Sequence, residues 1–166
     1  MKKIFAILAV FPVSAATFGL AGTAGPASAA VQPAAAADGS TVTFTSHSKA
    51  DRADDVIDCR AVLSNPHNSS HFRGRVNVKG VVTCTQRVTA IDLTAFLSYG
   101  KSLEGVGIHD GTGVSEWSVN AASVTCHTGI WAGEMLVDIV APPGFFPPFT
   151  AATLHNTASV PKCPAK

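Results

Sequence analysis

The most regular pattern in the chain runs from Arg75 to Val88. Val76, Val78, Gly80, Val82, Cys84, Gln86 and Val88 fall on one parity, and Arg75, Asn77, Lys79, Val81, Thr83, Thr85 and Arg87 on the other. A period of two is that of a half-buried strand, and it turns Cys84 inward. Val56 to Leu63 repeats it, with Ile57, Cys59, Ala61 and Leu63 on one face and Asp58 and Arg60 on the other. Ile91, Leu93, Ala95 and Leu97 carry the alternation on, and Ser98-Tyr99-Gly100-Lys101 reads as a hairpin turn into a strand over Ser102 to His109. Asp110-Gly111-Thr112-Gly113 predicts the next turn through its Asp-Gly pair. Val119 to Cys126, Glu134 to Val140 and Phe149 to Val160 supply further strands, and Thr41 to Thr45 opens the series. No window carries a 3.6-residue apolar period bounded by caps. Seven or eight short strands with frequent turns predict an all-β domain: an antiparallel β-sandwich, Greek-key and immunoglobulin-like in outline, with a closed barrel as the alternative.

The first residues follow a different rule. Met1-Lys2-Lys3 is a positive start, Ile4 to Leu20 is apolar apart from a few small or polar breaks, and Ala27-Ser28-Ala29 supplies small residues for cleavage. This is the layout of a secretory signal peptide over residues 1–29, with Ala34-Ala35-Ala36 as a second possible site and an uncleaved membrane anchor as the alternative. Ala30 to Ser40 is low in complexity and is expected to be a flexible tail. Residues 41–166 are then one domain, of a size that buries about two thirds of its unfolded surface. The expected location is extracellular, the cell wall included, with no membrane span after cleavage.

Removing Lys2 and Lys3 takes the formal net charge from +1 to −1, and charged residues make up only 14% of the chain. Nothing here forms the basic patch that draws nucleic acid by its phosphates.

The exported part holds Cys59, Cys84, Cys126 and Cys163, so two disulfides are expected in an oxidising compartment. Four cysteines allow three connectivities, and the sequence does not choose among them. The expectation carried forward is Cys59 with Cys84 and Cys126 with Cys163, each pair clipping one half of the domain. No CxxC is present and the spacings fit no zinc template, so neither metal nor cofactor is expected.

The stretches VKGVVTCTQRV and CHTGIWAGEMLVDIVAPPGFFPPFTAATLHNTASVPKC carry a resemblance. With an Ala-rich leader, a Gly-x-x-x-Cys strand over Gly80 to Cys84, a Cys-x-x-Gly turn over Cys126 to Gly129, a PPG turn and a terminal cysteine, the chain resembles small secreted actinobacterial proteins with a two-disulfide, β-sandwich-like domain. The resemblance implies export and fold class and brings no catalytic residue with it. The subtilisin-inhibitor family matches in size and disulfide number but not in its cysteine-anchored reactive loop. The enediyne-binding apoproteins close much shorter disulfide loops than the 25-position separation of Cys59 and Cys84.

The chain contains no GxSxG elbow, no HExxH and no phosphate-binding loop. His67-Asn68-Ser69-Ser70-His71 is the most suggestive polar cluster, but Asn65-Pro66 and Arg73-Gly74 around it predict a solvated loop rather than a helix with two ligands on one face. The aromatic segment APPGFFPPF, Ala141 to Phe149, is predicted to be a rigid crossing between two strands, since four prolines exclude it from the middle of a sheet. Phe145, Phe146 and Phe149 then either close one end of the core or, with Trp131 or Tyr99 nearby, form a binding strip for an extracellular protein, peptide or polymer. The expected function is non-catalytic binding. The alternatives are a protease inhibitor presenting a rigid loop, the His67 or the Phe145 segment, and a hydrolase whose triad has no contiguous motif.

Overall fold

The computed structural model describes residues 41–49 and 55–164. The signal-peptide and tail expectations lie outside them. Among the described residues there are eight strands and no helix: β1 (Thr41–Ser48), β2 (Val56–Leu63), β3 (His67–Asn68), β4 (Val76–Tyr99), β5 (Ser102–Ala122), β6 (Gly129–Val140), β7 (Phe145–Phe146) and β8 (Phe149–Val160). They form one antiparallel sheet in the order β7-β1-β2-β4-β6-β8, with β3 and β5 also paired to β4. Both expected disulfides are present, Cys59–Cys84 and Cys126–Cys163.

The long strand β4 makes this sheet a sandwich rather than a flat layer. Its first part pairs with β2 through Gly80 to Cys84, and its last part pairs with β6 through Ala90 to Tyr99. Strand β5 runs beside both parts. Between them the register shifts: Thr83 lies opposite Glu116, but the next pair is Val88 with Val114, so β4 advances five positions while β5 advances two. An odd excess of residues exchanges the faces of a strand. Val76, Val78, Gly80, Val82 and Cys84 therefore point inward before the bulge, and Ile91, Leu93, Ala95 and Leu97 after it. The two parts meet across the interior, where Val78 packs on Gly133 and Asn156 Nδ2 donates to the Leu63 carbonyl at 3.3 Å. The core joins them through Leu63, Val82, Leu93, Met135, Val137 and Leu154, all nearly or fully buried. The sheet stays open, so the barrel alternative is not realised.

Three sequence expectations differ from the structure. Asp110 to Gly113 is not a turn, because β5 continues through it with Thr112 opposite Ala90 and Val114 opposite Val88. The chain bends at Gly113 (φ 63°) without reversing, since β4 pairs with it on both sides of the bend. The strand placed over Val119 to Cys126 ends at Ala122, and Cys126 lies in the connection to β6. The His67 segment is also more ordered than a loop, because His67 and Asn68 pair with Asn77 and Val76.

Past the bend, β5 lies over itself. A Cβ at Gly105 would overlap the Ala122 carbonyl, one at Gly107 would overlap the Asn120 carbonyl, and His109 Nδ1 sits 2.6 Å from the Ser118 carbonyl. Glycine is required at 105 and 107 because backbone lies where a side chain would go. Trp117 lies flat on Gly111 and tilts against His109, with ring centroids 4.5 Å apart. The strand thus covers part of its own edge, where unpaired carbonyls would otherwise invite another chain.

Candidate binding surface

The residues singled out from the sequence separate into two ends of the domain. Trp131 is fully buried; its Nε1–H donates to the His127 carbonyl at 2.8 Å, and Tyr99 packs on it and donates to the Thr128 carbonyl at 2.9 Å. These rings fix the connection entering β6. The Phe145 segment lies where β6 ends, with Phe149 opposite Val140. Trp131 and Val140 are nine residue steps apart along β6, about 30 Å at ~3.4 Å per residue. Trp131 and Tyr99 therefore do not join the phenylalanines in one strip.

Within the segment, Pro143 and Gly144 make a turn in which Phe145 N–H donates to the Pro142 carbonyl at 3.2 Å, with Gly144 at φ 93°. The Phe146–Pro147 peptide is cis. Phe145 packs against the core, whereas Phe146 and Phe149 remain exposed. Phe145 does what a lid would do; Phe146 instead carries the Lys49 ammonium 5.4 Å from its ring centre.

His67 and His71 line a cleft of about 420 Å³ with Ser69, Phe72, Lys79 and Asn120. His67 Nδ1 lies 2.7 Å from the Asn65 carbonyl. Among the described residues no three of His, Cys, Asp and Glu gather closely enough to hold a metal ion.

The surface that sequence reasoning missed is the outer face of the half built from β4 after its bulge, the first part of β5, β6 and β8. Register places its residues in rows across the strands. Ile108, Thr94, Leu136 and Thr153 make one row, and Val106, Phe96, Glu134 and His155 the next. Ile108 is 74% exposed, Val106 48% and Leu136 37%, and Leu103 and Ile130 extend the apolar band toward the β4–β5 turn. A shallow depression of about 370 Å³ lies in this band, bordered by Phe96, Leu103, Ala132, Glu134, His155 and Thr157. His155 Nδ1 and Glu134 Oε2 are 3.3 Å apart.

Beyond Ile108 and Leu136 the next row is acidic: Asp110, Asp92 and Asp138 stand directly opposite one another on β5, β4 and β6. Like charges so placed oppose folding. The Asp138 carboxyl is held above its ordinary value of 3.8, by burial first and by Asp92 second. The folded domain therefore binds that proton more tightly than the unfolded chain does. Stability contributed by this group is present at low pH and is lost as pH rises from 3.8 through the raised value. Asp138→Asn is expected to stabilise the domain at neutral pH and to flatten this part of the stability profile. Urea unfolding across the acid range checks it, and an unchanged profile would count against it.

Among the described residues no histidine links a hydroxyl to a carboxylate, the arrangement that activates a nucleophile in a triad. No protein-family model matches the chain, and no curated protein matches it either.

Proposed function

We propose that the chain is a secreted, non-catalytic binding module that works outside the cell through the outer face of β4, β5, β6 and β8. The observation that carries this reading is the in-register band of large apolar side chains, Val106, Ile108 and Leu136 with Leu103 and Ile130 beyond them, left open to solvent on a rigid sheet. Contiguous exposed apolar surface is characteristic of contact sites, and a sheet face presents it without ordering cost on binding. Two intramolecular disulfides are consistent with an oxidising environment. The Phe145 segment suits an inhibitor's reactive loop less well, because its backbone is already paired with β1 at His47 and Ser48.

The test is capture from the culture supernatant and cell-wall fraction of the source organism with the oxidised domain as bait. The wild type is compared with Ile108→Ser/Leu136→Ser and with Phe145→Ser/Phe146→Ser, each of confirmed fold. Loss of a wild-type partner only with the first variant, by about tenfold or more in affinity, is the expected result. Loss only with the phenylalanine variant would move the site to the Phe145 segment.

A further inference from the structure

We infer that the occupant of this face is a cationic, amphipathic polypeptide segment, with apolar side chains set on Ile108 and Leu136 and lysines or arginines set over the aspartate row. The inference rests on the docking reading above and adds the chemistry of the partner. Its basis is the distribution of charge on the face.

The outward positions of β4 after the bulge, the first part of β5, β6 and β8 include Asp92, Asp110, Asp138 and Glu134 and not a single lysine or arginine. Among the described residues none of the three aspartates makes a salt bridge; the close contact on this face is His155 Nδ1 with Glu134 Oε2. A partner that covered Ile108 and Leu136 with apolar surface alone would also desolvate the neighbouring carboxylates, which costs more than the apolar contact returns unless positive charge arrives with it. The aspartate row lies one same-face step from the Ile108–Leu136 row, two residues or roughly 7 Å along a strand. A segment matches that spacing with a basic residue two positions from an apolar one if it is extended, or four positions away if it is helical.

The same distribution argues against other occupants. A second copy docking through its own outer face would bring a second set of carboxylates against the first. Anionic lipid and nucleic acid surfaces are repelled by the aspartate row.

The experiment uses two short fluorescent peptides with blocked ends, one alternating leucine with lysine and one alternating leucine with glutamate. They are titrated by anisotropy into the oxidised domain at low and high salt. The leucine–lysine peptide is expected to bind and the leucine–glutamate peptide not to. Ile108→Ser/Leu136→Ser and Asp92→Asn/Asp138→Asn should each weaken binding by about tenfold or more, and added salt should weaken the wild type but barely affect the asparagine variant. Near-ultraviolet circular dichroism confirms that both variants keep the native fold. Binding lost with the serine variant but unchanged in the asparagine variant would overturn the cationic occupant while leaving the docking face standing. Binding lost only with the asparagine variant would overturn the docking reading itself. No binding of either peptide, or binding untouched by both variants, would overturn the inference.

Discussion

Replacing Gly107 with valine is expected to destabilise the domain by on the order of 4 kcal/mol or more, which for a domain of this size removes a large part of its stability. The cause is backbone meeting backbone. Any Cβ at this position runs into the Asn120 carbonyl and lies 3.1 Å from Val119 Cγ2. A flexible side chain could move aside, but the Asn120 carbonyl is main chain and shifts only if the strand moves, which would disturb the neighbouring pairing with β4, such as Gly80 with Val119. Gly100→Ala is the comparison, because nothing lies within 4 Å of a Cβ there and only the φ of +60° opposes it, at roughly 1 to 2 kcal/mol. Urea midpoints of the two variants would decide the matter. A Gly107→Val protein as stable as Gly100→Ala would mean that the two parts of β5 do not approach so closely.

The second large effect is expected at Trp131. Trp131→Ala should cost about 3 to 5 kcal/mol, the usual range for removing a large aromatic from a close-packed site. The side chain is fully buried and its Nε1–H satisfies the His127 carbonyl. Tyr99, stacked on His127 with centroids 5.2 Å apart, would lose the surface it leans on. Trp131→Phe should recover most of the packing and lose chiefly the hydrogen bond, about 1 kcal/mol. Thermal unfolding under oxidising conditions measures both; an alanine variant within ~1 kcal/mol of wild type would show that the ring is not a core element.

Alternation was enough to find most strands, because burial on one face leaves its record in residue type at every second position. It located Val76 to Cys84 and Ile91 to Leu97 on opposite parities. That the alternation carries on from one to the other was legible; the bulge that exchanges the faces between them was not, since it is defined by the partner's register. The glycines of β5 show a competing signal. Asp110-Gly111 satisfies the local rule for a turn, yet Gly105, Gly107 and Gly111 share a parity, and glycine at alternate positions of a strand marks close approach of backbone or ring. The disulfide pairing agreed with the expectation drawn from layout, although spacing alone left three choices open. The outer face was hidden for a different reason. Asp92, Asp110 and Asp138 lie on three strands, and only the register of β4 with β5 and β6 brings them into line. Trp131 and the phenylalanines looked alike as aromatic types, but nothing in their chemistry says at which end of a strand each one lies.

The disulfides also determine how the domain would respond to a pulling force. Cys59–Cys84 and Cys126–Cys163 enclose 25 and 37 residue steps in two separate rings that do not overlap along the chain. Tension applied at the two ends cannot draw out either ring, and together they withhold roughly 200 Å of contour at ~3.5 Å per residue. Between the cysteines, the chain that can lengthen is residues 85–125, which contain the later part of β4 and all of β5. The extensible part thus includes two of the strands that carry the outer face, so a load on the ends would reach Val106, Ile108 and Asp110 while β8 and the part of β2 from Cys59 onward stayed within their rings.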